Sequence, residues 1–144
     1  MKSIRGNLLA LARSGRFDVI VHGCNCRHAM GAVIAKHIKD SFPEAWAADL
    51  ATPAGAEKLG QISPAETDCD GHRLTVVNAY TQDDWQGDGV LLDYGALRRA
   101  MREVKRRFGG KRIAYPKIGA GLARGDWSKI AAIIDEELAG ETHT

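Results

Sequence analysis

The chain has 144 residues, of which 44% are hydrophobic and 26% charged, with a formal net charge of +2. That length suits one domain, residues 1–144, with a self-sufficient core, and the composition excludes collagen, coiled-coil and disordered chains. So small a charge argues against direct nucleic-acid binding, and no run approaches the ~18 apolar residues of a membrane span.

The opening residues lack a signal-peptide core. Cys24, Cys26 and Cys69 are odd in number and read as free thiols, which places the chain in the cytoplasm. Phe17–His22 is a short, largely apolar, β-branched run ending at Gly23 and reads as a buried strand. Met30, Val33, Ile34, Ile38 and Phe42 recur at helical spacing, and Pro43 stops that helix. Residues 44–60 are mixed, with Pro53 and Gly55 predicting a helical turn and then a loop. Leu59–Ile62 reads as a short strand, Asp68-Cys69-Asp70-Gly71 as a turn, and Arg73–Thr81 as the clearest strand.

After the stretch QDDWQGDG, the residues Tyr94, Leu97, Met101, Val104 and Phe108 mark an amphipathic helix closed by Gly109-Gly110. Its Arg98-Arg99, Arg102 and Lys105-Arg106-Arg107 read as a solvated face. Arg112–Ile118 is another strand, and Gly119-Ala120-Gly121 a turn. Asp126 is placed to N-cap a last helix carrying Trp127, Ile130, Ile134 and Leu138. The alternation predicts an α/β fold with helices on both faces of a sheet.

Two loops stand out, His22–Ala32 and Ile118–Asp126. Each leaves a strand and precedes a helix, where α/β sheets bind ligands. Small residues let the backbone approach a ligand closely, and amides at a helix start favour an anion. Neither loop matches the G-x-x-x-x-G-K-[ST] or G-x-G-x-x-G phosphate patterns. A pair of such loops in one domain points to a phosphate-containing ligand.

Ile4-Arg5-Gly6-Asn7-Leu8, VHGCNC followed by MGAVIAKHIK, VVNAYTQ and YPKIGAGLARGDW, in that order, resemble the macro domain family of ADP-ribose binders over nearly the whole chain. Within it the chain looks most like the phage and bacterial members of one branch, which includes the yeast ADP-ribose 1''-phosphate phosphatase and the human terminal ADP-ribose glycohydrolase. The resemblance implies a three-layer α/β/α domain with a central mixed sheet. Family members often add a final strand after the last helix; here the sequence given ends at Thr144, so the resemblance leads one to expect one edge of the sheet to be missing. By resemblance, Asn7 replaces an Asp that meets the adenine amino group, Asn25 meets the distal ribose, and Gly31 and Ala32 lie against ribose and phosphates. Gly119, Ala120, Gly121, Leu122 and Ala123 form the diphosphate loop. The glycohydrolase's Lys and Asp align with Tyr80 and Ala123, so a covalent route through an amine is not expected.

His22 is the candidate general acid or base, with Asp126 and Asn25 beside it; each also has a plain structural reading, a hydrogen-bonded loop histidine or a helix cap. His28, Asp83 and Asp84 read as solvated loop residues. Trp85 and Tyr80 are placed to stack on adenine, to flank the distal ribose, or simply to pack. Trp46 and Trp127 read as core. His22-x-Cys24-x-Cys26 lacks the second ligand pair of a zinc site, so neither metal nor cofactor is expected. The implied activity is hydrolysis of ADP-ribose 1''-phosphate. The alternatives are removal of ADP-ribose from modified macromolecules, or binding without catalysis.

Overall fold

A computed structural model describes residues 1–144. β1 (Val19–Asn25) sends Val19 and Val21 to one apolar layer and Ile20 to the other. A strand buried on both faces needs helices on both. On the Ile20 side lie α1 (Leu8–Arg13), α2 (Val33–Ser41) and α3 (Pro43–Leu50), which contribute Leu9, Ala12, Ile38 and Ala45. On the Val21 side lie α4 (Tyr94–Phe108) and α5 (Trp127–Glu137), which contribute Leu97, Met101, Val104, Ile130 and Ile134. Each fully buried aliphatic chain of this kind contributes about 1.5–3 kcal/mol. No helix is long and apolar enough to cross a membrane.

The remaining strands are β2 (Ile62–Cys69), β3 (His72–Gln82) and β4 (Ile113–Ala114), and the sheet order is β2-β3-β1-β4. β1 runs parallel to β3 and β4, whereas β2 is antiparallel to β3. The mixed three-layer α/β/α architecture is therefore the one the sequence predicts.

The boundaries differ where local signals are weak. β2 extends well past the short strand read at Leu59–Ile62, because it is an edge strand that tolerates Pro64. The turn between β2 and β3 has both Asp70 and Gly71 at positive φ, as a two-residue hairpin with right-handed twist requires. The strand read over Arg112–Ile118 pairs as β4 only at Ile113–Ala114, and Pro116 takes the chain out of the ladder. No full strand follows the last helix; His143 makes an isolated parallel bridge with Ile113. Ile113 N donates to Thr142 O, Thr144 N to Ile113 O and Tyr115 N to Thr144 O, each at 3.0 Å. Lys2 N donates to His143 O on the outer side at 3.1 Å.

Asp18 closes β1 onto β4. Its carboxylate accepts from Arg112 N at 2.9 Å and from the Arg112 guanidinium at 2.8 and 3.0 Å. Those hydrogen bonds hold the Asp18 pKa down to about 2. A carboxylate with a lowered folded pKa stabilises the fold above its unfolded value of 3.8, and that stability is lost as pH falls through about 2. The pair is partly exposed, which limits its worth to about 1 kcal/mol or less. Asp18→Asn is expected to lower the urea midpoint at pH 7, and its difference from wild type to shrink as pH falls from about 5 toward about 2.

Candidate functional site

The carboxyl ends of β1 and β4 release the two glycine-containing loops on the same side of the sheet, and two adjoining cavities open there. The smaller, of ≈ 520 Å³, lies between the loops. Its wall includes Asn25, Gly31, Ala32, Gly119, Gly121 and Leu122. The larger, of ≈ 690 Å³, runs beneath the N-terminal segment and along α1, and Asn7 and Trp127 stand on its wall. Ile34, Pro116 and Lys117 line both, so the two adjoin and make up the two halves of the groove.

The glycines show which backbone has been left bare. Most of the 16 glycines are needed by the chain itself, because φ is positive or a Cβ would strike a neighbour. Gly119, at φ +74, is one; a Cβ there would lie 2.8 Å from Leu92. Gly31 and Gly121 meet neither condition: no atom lies within 4 Å of where a Cβ would sit, and φ is not positive. Both line the smaller cavity, so their missing side chains leave room only for something outside the chain. Val33, the first residue of α2, is a β-branched residue held at φ 52 on the same wall. No side chain caps α2, which leaves its first amides free.

The first loop is held by its own polar groups. Asn25 Nδ2 donates to Ala29 O at 2.8 Å, and Asn25 Oδ1 accepts from Arg27 N at 2.9 Å and Ala29 N at 3.3 Å. From outside, Arg27 makes a two-pronged pair with Asp83 at 3.1 and 3.2 Å. From behind, Gly55 N donates to Cys26 O at 2.9 Å, and His28 Nε2 lies 2.6 Å from Thr52 O.

Several candidate residues stand elsewhere. His22 does not face the groove. It is 0% exposed and its Nε2 lies 2.6 Å from Asn78 Oδ1, on the α3 side of the sheet. Burial pushes its pKa down to about 4, so the ring is neutral near pH 7. Asp126 caps α5, accepting from Ser128 N at 2.9 Å, and lines neither cavity. Tyr80 is 1% exposed and donates to Asp49 Oδ1 at 2.7 Å, so it touches no ligand space. The residue near the end of β3 that does reach the smaller cavity is Gln82. Ala120 packs against the α4–α5 core and lines neither cavity. Asn7, Asn25, Gly31, Ala32, Gly119, Gly121, Leu122 and Ala123 all lie on cavity walls, although Asn7 also caps α1, accepting from Ala10 N at 3.1 Å.

His22 and Tyr80 belong to a buried polar network beneath the first loop. Asn78 Nδ2 donates to Ser63 Oγ at 3.1 Å, and Ser63 Oγ lies 2.8 Å from Tyr80 OH. Lys58, only 3% exposed, sits 3.6 Å from Asp49 and donates to Thr52 Oγ1 at 2.8 Å. Cys24 Sγ lies 3.4 Å from His22 Nε2, and burial raises its thiol pKa well above the ordinary range, so it is no thiolate nucleophile.

Lys117 and Trp127 are site residues that the sequence reading missed. Trp127 is half-buried: it packs against the α4–α5 core, as read, and also stands on the larger cavity's wall, with Lys117 Nζ 6.0 Å from its ring. Trp85 is exposed on the rim of the smaller cavity. Lys117 is the one charged side chain lining that cavity, and no carboxylate or imidazole side chain stands on its wall. The smaller cavity, with bare amides, amide side chains and one ammonium, has the chemistry to hold an anion and orient water, but its wall supplies no general base.

No protein-family model matches the chain. It is 37% identical over 142 residues to an uncharacterized 17.5 kDa protein from the tk-vs intergenic region of Enterobacteria phage T4, a match spanning 94% of this chain and 88% of that protein. Among solved structures, the macrodomain of Thermus aquaticus DarG superposes with a TM-score of 0.74 at 20% identity, over 97% of this chain and 92% of that one. Thermosipho africanus DarTG, solved in complex with ADP-ribose, superposes with a TM-score of 0.72 at 16% identity, over 89% of this chain and 37% of that longer one.

The buried histidine sets a pH dependence. The unfolded chain takes up a proton on His22 below its ordinary value of 6.5, and the folded chain only below about 4. Stability contributed by the neutral buried ring is therefore whole above 6.5 and lost as pH falls toward about 4. Urea denaturation from pH 7 to pH 4 is expected to show that decline, and His22→Gln to flatten it.

Proposed function

The chain belongs to the same family as the phage T4 17.5 kDa protein and has the macrodomain fold, and from that premise we propose that it binds ADP-ribose or a derivative across the joined cavities. The observation that carries this reading is the pair Gly31 and Gly121, bare on facing loops where the fold itself has no use for glycine. A diphosphate between them would take backbone N–H donors from both loops, and the free amides at the start of α2 favour its charge. Adenosine would occupy the larger cavity near Asn7, and the distal ribose the smaller one near Asn25. Lys117, at the junction, would face the diphosphate. The complex of Thermosipho africanus DarTG with ADP-ribose, on a similar fold, supports this reading.

For the reaction, the reading carried forward is removal of the 1''-phosphate from ADP-ribose 1''-phosphate. Water attacks phosphorus, the bond from phosphorus to the 1'' oxygen breaks, and the water's proton ends on that oxygen, giving ADP-ribose and inorganic phosphate. Phosphoryl transfer asks the protein mainly for positioning and charge stabilisation. The smaller cavity offers those through amides, Asn25, Gln82 and Lys117 without a base. Its lack of carboxylate and imidazole favours one rival, a module that binds ADP-ribose without turnover; removal of ADP-ribose from modified macromolecules would need a base from outside this wall. The three buried free cysteines fit a reducing compartment such as the cytoplasm.

Titration calorimetry with ADP-ribose, ADP and AMP tests the binding. ADP-ribose is expected to bind at least about tenfold tighter than either control. Gly31→Val and Gly121→Val are expected to keep the thermal midpoint within a few degrees and to lose ADP-ribose binding by more than about tenfold. Equal binding of all three nucleotides, or valine variants with unchanged affinity, would sink the reading. Phosphate release from ADP-ribose 1''-phosphate at near-stoichiometric protein separates phosphatase from pure binder.

A further inference from the structure

The larger cavity is bigger than its share of the ligand requires. At ≈ 690 Å³ it is of a size that encloses a whole drug-sized ligand, whereas the reading above, on which this inference rests, gives it an adenosine. Its wall follows α1 from Asn7 to Arg13, about 9 Å of helix axis at 1.5 Å per residue. On α2 it continues from Ile34 past His37 to Ser41.

The charged side chains along this wall have one sign. Lys2, Arg13, His37 and Lys117 line it, and no Asp or Glu side chain does. None of the four takes part in an ion pair. Arg13 instead lies over the Phe42 ring at 5.4 Å. On the first loop and elsewhere on α2, by contrast, Arg27 and Lys36 are each paired with an Asp. Basic groups gathered in a cleft with apolar walls focus a positive field on whatever enters it. Lys117, at the junction, can answer the diphosphate. Arg13 and His37 stand farther along the helices and are left facing an anion that plain ADP-ribose does not have there.

We propose that Arg13 and His37 form a second anionic subsite in the larger cavity, which takes a phosphate ester on the adenosine ribose. The preferred ligand is then an ADP-ribose phosphorylated at the adenosine 2' or 3' oxygen. The test is calorimetry of the full chain with ADP-ribose, 2'-phospho-ADP-ribose and 3'-phospho-ADP-ribose, which also distinguishes the two ester positions. One phosphorylated isomer is expected to bind about tenfold tighter than ADP-ribose, with the preference shrinking as salt is added. Arg13→Gln is expected to abolish that preference while the chain still folds and binds ADP-ribose, and His37→Gln to weaken it. Equal affinity for all three ligands, or a preference that survives both substitutions, overturns the subsite alone. Binding of none of the three overturns the subsite together with the ADP-ribose reading.

Discussion

The site depends on how β1 ends. Through most of its length β1 pairs residue for residue with β3, but Cys24 faces Tyr80 and Asn25 faces Gln82, so Thr81 has no opposite number. Such a bulge bends a strand and re-aims the side chains beyond it. Tyr80 stays under the sheet with Asp49, while Gln82 reaches the cavity. Thr81 carries the local cost: its buried hydroxyl has no hydrogen-bond partner. Gly23 lies against it, and a Cβ there would come within 2.9 Å of that oxygen.

Below the bulge, polarity serves rigidity. The chain from His22 through Asn78, Ser63, Tyr80 and Asp49 to Lys58 and Thr52 satisfies buried groups that would be costly alone, and it ends against His28 in the first loop. His28 and Val33 are held at positive φ on either side of Gly31. Strain of that kind persists only where the surroundings over-determine it. The supporting layer thus spends its side chains on itself and presents the groove with backbone.

The groove's two halves differ in charge for a related reason. The smaller cavity sits between loops whose charged residues are engaged elsewhere: Arg27 with Asp83, Arg124 with Gly87 O and Asp126 with the α5 amides. Only Lys117 remains there. The larger cavity borders α1 and α2, and the basic side chains that line it, Lys2, Arg13, His37 and Lys117, take part in no ion pair.

The sequence by itself determined the architecture and singled out the two loops between which the smaller cavity lies. Periodicity in β1, β3, α4 and α5 is strong because each is buried along a clear face, and the two loops advertise themselves through small residues next to strand ends. It could not assign side-chain direction. His22, Asp126 and Tyr80 have the right chemistry and the right place along the chain, but a burial network and a helix cap claim them. Gln82 takes the place assigned to Tyr80 because a bulge is a property of two strands in register, which no local pattern encodes. Lys117 and Trp127 matter because β4 and the start of α5 bring them to the wall of one groove with α1 and α2. Which residues share a face along one element is written in spacing. Which groups meet across elements, and which remain unpaired, was decided only when the sheet and its two helical layers closed.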